Sequence, residues 1–267
     1  MTDIEVTGNE FVTGSEATGN EFVTGGEFVT GDANARLRAR FLGMCIDAVD
    51  AEAAARFWSP TLGLDLRRKG GEVWLTGPSD AHAVWINQVP EAKTVKNRVH
   101  LDVHAATLDE LQARGARVIQ PATAEQAWTV LTDPDGQEFC AFVREEVPDY
   151  RLYEVIVDCA EPEPLARWWA SVLGGELEDD GDEWGVKGMP GVPFEYLVFG
   201  RVPEPKAVKN RVHWDIEIAD PQLLVDAGAS LLRPRGGDIR WHVLADPAGN
   251  EFCVFTPTAG NDGSASG

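Results

Sequence analysis

The chain has 267 residues, with 23 Lys and Arg against 44 Asp and Glu, for a formal net charge of −21. That length accommodates two domains with cores of their own. The charge repels nucleic-acid phosphates and anionic membranes and attracts cations, so nucleic-acid and membrane partners are excluded as expectations. With no apolar run long enough for a membrane span and no signal peptide, the reading is a soluble cytoplasmic protein.

The first 35 residues repeat EFVTG at Glu10 to Gly14, Glu21 to Gly25 and Glu27 to Gly31, and carry seven acids without a base. Each Phe-Val pair is too small to make a core, so residues 1–35 read as a disordered acidic tail. The alternative is an extended segment that adds to a sheet edge. Residues 258–267, mostly Gly, Ser, Ala and Asp, read as a second disordered tail.

From residue 40 the pattern becomes regular. Phe41 to Val49 reads as a strand, Ala51 to Trp58 as a helix stopped at Leu62-Gly63, and Glu72 to Thr76 and Ala83 to Val89 as further strands. The order then restarts: Arg98 to His104 is a strand, Leu108 to Arg114 a short helix, and Trp128 to Thr132 and Glu138 to Val143 are strands joined by the Asp133-Pro134-Asp135-Gly136 turn. Two βαβββ units emerge.

Everything then recurs. Lys96-Asn97-Arg98-Val99-His100-Leu101-Asp102 returns as Lys209-Asn210-Arg211-Val212-His213-Trp214-Asp215, identical at six of seven positions after 113 residues. VPEAKTV from Val89 matches VPEPKAV from Val202, and LTDPDGQEFCAF from Leu131 matches LADPAGNEFCVF from Leu244. The chain is a tandem duplication. Residues 36–146 and 150–257 read as the two domains, linked by Val147-Pro148-Asp149.

Two such units per repeat, a helix ending in Trp/Phe then Leu-Gly, the KNRVHLD strand and the DPDG-x-EF hairpin resemble the vicinal oxygen chelate superfamily. Within it the glyoxalase-like group, with its bleomycin-resistance and dioxygenase members, is most similar. The resemblance implies an α+β fold of two tandem domains. Each comprises two βαβββ units in a curved, mixed sheet whose cup holds a ligand or metal. It also implies four ligand positions, on the first, fourth, fifth and eighth strands. His100 and His213 match the fifth-strand ligand, the eighth-strand position holds Cys140 and Cys253, and the first-strand position falls near Gly43 and at Glu154.

Alternation along the recurring strand places Arg98, His100, Asp102 and His104 on one face, and Arg211, His213, Asp215 and Glu217 on the matching face of the second copy. Glu138 and Glu251 stand two residues before Cys140 and Cys253, on the same face. The catalytic candidates are therefore His100 with Glu138 and His213 with Glu251. Arg98, Asp102, Trp128, Arg211, Asp215 and Trp241 are the ligand-binding candidates. A divalent metal, if used, is assigned to His100, Glu138, His213, Glu251 and Glu154. The four cysteines sit in apolar runs without CxxC spacing and read as buried reduced thiols.

Two functions stand open. One is a small-molecule enzyme of lyase or isomerase type, using a His/Glu pair or a divalent metal. The other is a sequestering binder of a cationic aromatic compound, as in bleomycin resistance. The assembly reads as a monomer with pseudo-two-fold domains or a homodimer.

Overall fold

A computed structural model describes residues 37–257. Both terminal tails inferred from the sequence lie outside the described residues. The first repeat contains β1 (Arg40–Ala48), α1 (Ala51–Leu62), β2 (Asp65–Lys69), β3 (Glu72–Thr76), β4 (Val84–Gln88), β5 (Val99–Ala105), α2 (Leu108–Ala113), β6 (Arg117–Gln120), β7 (Thr129–Thr132) and β8 (Glu138–Val143). The second contains β9 (Leu152–Cys159), α3 (Pro162–Leu173), β10 (Glu176–Asp179), β11 (Glu183–Lys187), β12 (Tyr196–Arg201), β13 (Val212–Glu217), α4 (Gln222–Asp226), β14 (Ser230–Arg233), β15 (His242–Ala245) and β16 (Glu251–Phe255).

These strands form two eight-stranded mixed sheets, and each sheet takes one unit from each repeat. Sheet A runs β14-β15-β16-β13-β1-β4-β3-β2, and sheet B runs β10-β11-β12-β9-β5-β8-β7-β6. The seams are antiparallel: β1 pairs with β13, and β5 with β9. The chain crosses between sheets through residues 89–98 and again through 202–211.

The helices begin and end where side chains and glycines dictate. Asp50 caps α1 by accepting from the Ala53 amide at 2.9 Å, which satisfies one of the orphan amides of the first turn. Gly63 and Gly174 close α1 and α3 in the left-handed region, at φ 70° and 77°, where a side chain would be strained.

Helices α1 and α3 lie between the two sheets. Phe57 and Trp58 of α1 meet Phe139 of sheet B at 5.6 and 5.3 Å. Trp169 of α3 meets Trp214 and Phe252 of sheet A at 4.8 and 5.1 Å. The core-facing residues of the strands, such as Leu101, Val103, Phe139, Val155, Val157, Ile216 and Phe252, are all buried in one continuous cluster. Period-two alternation then turns the polar set of each strand to the opposite face, away from this core.

The helix tryptophans also fasten the DPxG turns. Trp58 Nε1 donates to Asp133 Oδ2 at 3.0 Å and Trp169 Nε1 to Asp246 Oδ2 at 3.1 Å. Asp133 Oδ1 in turn accepts the amides of Asp135 and Gln137, both at 2.9 Å. The same turn recurs because each copy uses its first Asp as a buried acceptor.

No helix among the described residues is long and apolar enough to cross a membrane.

Candidate functional site

Each sheet gathers its polar face around a recurring His-x-Asp. In sheet B, Asp102 of β5 stands opposite Cys140 on one side and Glu154 on the other, while His100 stands opposite Ile156. In sheet A, Asp215 of β13 stands opposite Cys253 and Gly43, while His213 stands opposite Cys45. The same rows thus carry different side chains on the strand from the other repeat: Glu154 and Ile156 in sheet B, Gly43 and Cys45 in sheet A.

Two clusters result whose donor atoms lie within 4.8 Å of one another: His100, Asp102 and Cys140, and Cys45, His213 and Asp215. His100 Nε2 is 3.4 Å from Asp102 Oδ1. Cys45 Sγ donates to Asp215 Oδ1 at 3.5 Å, and Cys253 Sγ lies 3.7 Å from His213 Nε2. Nitrogen, oxygen and sulfur donors of this kind suit a zinc-like divalent ion, so a metal fits both sets chemically.

The site is largely buried, and its groups titrate accordingly. Burial holds His100 neutral, pushing it down to about 3, with the nearby Lys96 charge adding to the effect. Burial likewise takes His213 down to about 4. The carboxyls move the other way, because burial penalises their charged forms. Asp215 rises to about 6 through burial, and Glu154 rises to about 7 through burial and the charge of Glu183. Asp102 is raised by burial and then by Glu154, its neighbour across the seam. Asp102 and Glu154 are therefore a buried carboxyl pair that favours holding a proton.

Neutral His100 carries a testable stability cost in acid. An unfolded chain takes up its proton near pH 6.5 while the folded chain does not, so stability falls as pH drops below 6.5. Between pH 7 and pH 5 this amounts to about 2 kcal/mol. The His100→Gln variant is expected to lose that much less than the parent over this interval, measured by urea unfolding at the two pH values.

The glutamates of the inferred His/Glu pairs make other contacts. Glu138 Oε1 binds Lys93 Nζ at 2.6 Å and its Oε2 accepts the Asn97 amide at 3.0 Å. Glu251 repeats this with Lys206 at 2.7 Å and the Asn210 amide at 3.1 Å. Both carboxylates anchor the crossing segments to the rims of their sheets. Arg98 donates to the Glu204 carbonyl, and Arg211 donates to the Glu91 carbonyl at 2.8 Å and to Asp135 at 3.1 Å. The arginines therefore tie one crossing segment to the other. A cavity of about 1040 Å³ lies between these segments, and Lys96 and Lys209 at its wall are ion-paired with Asp158 and Asp47.

Trp128 and Trp241 stay equivalent, tilted against Phe142 at 5.7 Å and Phe255 at 5.5 Å. Around Trp128 an aromatic wall continues. Phe142 meets Tyr153 at 5.3 Å, Tyr153 meets His104 at 4.7 Å, and Tyr196 stands 6.2 Å beyond. Tyr153 and Tyr196 escaped the sequence reading, and Cys45 was read only as a buried reduced thiol, not as a neighbour of His213. The signal available was where the copies differ, because strands from opposite repeats face each other across each seam.

The profile of the Glyoxalase-like domain matches residues 43–142 and again residues 154–255. The chain belongs to this glyoxalase-like family. Solved structures agree in fold. Glyoxalase I from Zea mays is 15% identical, with a TM-score of 0.60 over 81% of this chain and 92% of that one. A mutant of the Zea mays glyoxalase I is 16% identical, with a TM-score of 0.59 over 82% of this chain and 94% of that one. A putative dioxygenase from Bacillus subtilis subsp. subtilis str. 168 is 13% identical, with a TM-score of 0.54 over 84% and 87%. At such identities the glyoxalase-like likeness is one of fold. A search of curated proteins found no match.

Proposed function

We propose that this glyoxalase-like protein binds a flat, cationic aromatic small molecule on the polar face of sheet B and sequesters it. The carrying observation is the aromatic wall of Trp128, Phe142, His104, Tyr153 and Tyr196 on the same face as Glu154 and Glu183. Tyr153, Tyr196 and Trp128 are only half-buried, so their rings can take a ligand. A cation over such rings gains both quadrupole and Coulomb attraction, and the −21 charge of the whole chain raises the local concentration of cations.

The second reading, a lyase or isomerase, is favoured by the Asp102–Glu154 pair. A carboxyl that titrates at about 7 is close to half-ionised at neutral pH and can accept or return a proton. His100, neutral and beside Asp102, would orient that carboxyl rather than carry charge.

Calorimetric titration of an aromatic cation, its neutral isostere and an anionic analogue tests the binding. Tyr153→Ala is expected to weaken the cation about tenfold, the size of one desolvated cation–π contact. Equal affinity for all three ligands would sink the reading. Exchange of a ligand C–H for deuterium from solvent, seen by NMR with the parent and lost with Glu154→Gln, would decide for the enzyme.

A further inference from the structure

We propose that the EFVTG unit at Glu21 to Gly25 docks on its own chain as an added strand along β14, the outer strand of sheet A. The described sheets end in four edge strands: β14 and β2 in sheet A, β10 and β6 in sheet B. They differ in what they offer an acidic segment. β10 carries Glu176, Glu178 and Asp179, which repel it. β2 presents Arg67, Arg68 and Lys69 with no exposed large apolar side chain, a pattern that keeps an edge unpaired. β6 exposes Val118 and Ile119, but residues 117–128 hold one base and one acid. β14 exposes Leu231 and Leu232 at 49% and 54%, and residues 230–241 hold Arg233, Arg235 and Arg240 against Asp238 alone. In a chain of net charge −21, this edge is both apolar and positive.

The occupant matches both properties. Residues 1–35 carry seven acids and no base, and Phe, Val and Thr are residue types that favour strands. Phe22 and Val23 supply apolar partners for Leu231 and Leu232, and Glu21 supplies charge opposite to that of the arginines. Reach singles out the unit. Ala39 donates to the Val172 carbonyl of α3 at 2.8 Å, and one turn earlier Trp168 donates to the Ala227 carbonyl, just before β14, at 2.9 Å. The chain therefore enters the fold beside the helix that is tied to this edge. A strand beyond β14 lies five strand spacings from β1, about 24 Å. Residues 26–36 extend to about 36 Å and bridge that distance from Glu21 to Gly25, whereas residues 32–36 extend to only about 17 Å and leave the later unit short. The ladder from β14 to β15 shifts between Leu231 and Arg233, so the regular edge is short and suits one Phe-Val-Thr unit. Docking covers an edge that would otherwise accept a strand from a second copy.

Amide hydrogen exchange of the full chain, followed by mass spectrometry, tests this. The expected result is slow exchange both in residues 21–25 and in residues 230–233. Proline cannot donate to a ladder, so a variant combining Val12→Pro, Val23→Pro and Val29→Pro disables all three units without touching the folded domains. In it, exchange in residues 230–233 should speed up about tenfold or more, while β5 and β8 stay as protected as in the parent. Leu232→Lys, which places a charge on the edge, should free residues 21–25 to the same degree, and added salt should speed exchange in both segments by screening the charges. Residues 21–25 that exchange in the parent as fast as an unstructured peptide overturn the proposal, as does protection of β14 that survives the triple variant. Protection that appears in residues 117–120 instead would place the strand on β6, and protection that grows with protein concentration would assign it to a second copy. Either result overturns docking on the chain's own β14.

Discussion

Trp169→Ala is expected to destabilise the protein by about 4 kcal/mol or more, the upper range for removing a buried aromatic side chain. Trp169 is fully buried and packs edge-on against Trp168, Trp214 and Phe252, at 4.7, 4.8 and 5.1 Å. It therefore joins α3, which follows a strand of sheet B, to the apolar face of sheet A. Its indole also donates to Asp246, whose other oxygen accepts the Ala248 and Asn250 amides of the turn at 2.9 Å. Alanine would leave both a cavity and a buried carboxylate short of one donor. Trp169→Phe separates the two contributions: it keeps most of the packing, so its cost should fall to about 2 kcal/mol, the value of one hydrogen bond to a charged group. Urea denaturation of the three proteins measures both. Equal losses in the two variants would show that the hydrogen bond, not the packing, dominates.

Glu154→Gln is expected to make the protein more stable in alkaline solution. The Glu154 carboxyl is pushed from an ordinary value of 4.5 to about 7 by burial and the neighbouring Glu183. Below pH 4.5 it is protonated in both folded and unfolded chains and contributes no pH dependence. As pH rises through 4.5 the unfolded chain gains by ionising, while the folded chain resists until about 7. Stability is lost across that window, by about 3 kcal/mol once pH exceeds 7. Glutamine cannot ionise, and its amide can donate to Asp102 across the seam. At pH 8 the variant should exceed the parent by about 3 kcal/mol, and at pH 4 the two should match. A variant that is less stable at pH 8 would show that ionised Glu154 is held by a favourable partner, and would remove the proton-sharing pair from the enzyme reading.

The two substitutions probe different levels of the same architecture. Trp169 lies in the core between the sheets, where apolar contacts decide stability. Glu154 lies on the outward polar face, where stability is given up to hold a group near neutrality, as functional sites commonly do. A ligand cation bound near Glu154 would favour its ionised form, so binding should release protons at neutral pH.

Much of this was legible in the residues alone. The duplication shows directly as repeated sequence, and the βαβββ order, the glycine stops after α1 and α3, and the alternation that places His100 with Asp102 and His213 with Asp215 on one face are local properties. They follow from period, cap and turn chemistry, which act over a few residues. The seam partners are not local. Cys45 facing His213 and Glu154 facing Asp102 are separated by 168 and 52 residues respectively, and their registers are shifted by irregularities at Phe41/Gly43 and Asp102/Val103. A one-residue shift changes which face a side chain takes, and no sequence period records where such a bulge lies. The same holds for Glu138 and Glu251. Their position on the correct face was readable, but Lys93 and Lys206 reach them only because each crossing segment returns over its sheet rim. Which units share a sheet, and so which side chains complete each His-x-Asp, was decided by the burial of both apolar faces around α1 and α3, a choice made only when the whole chain packs.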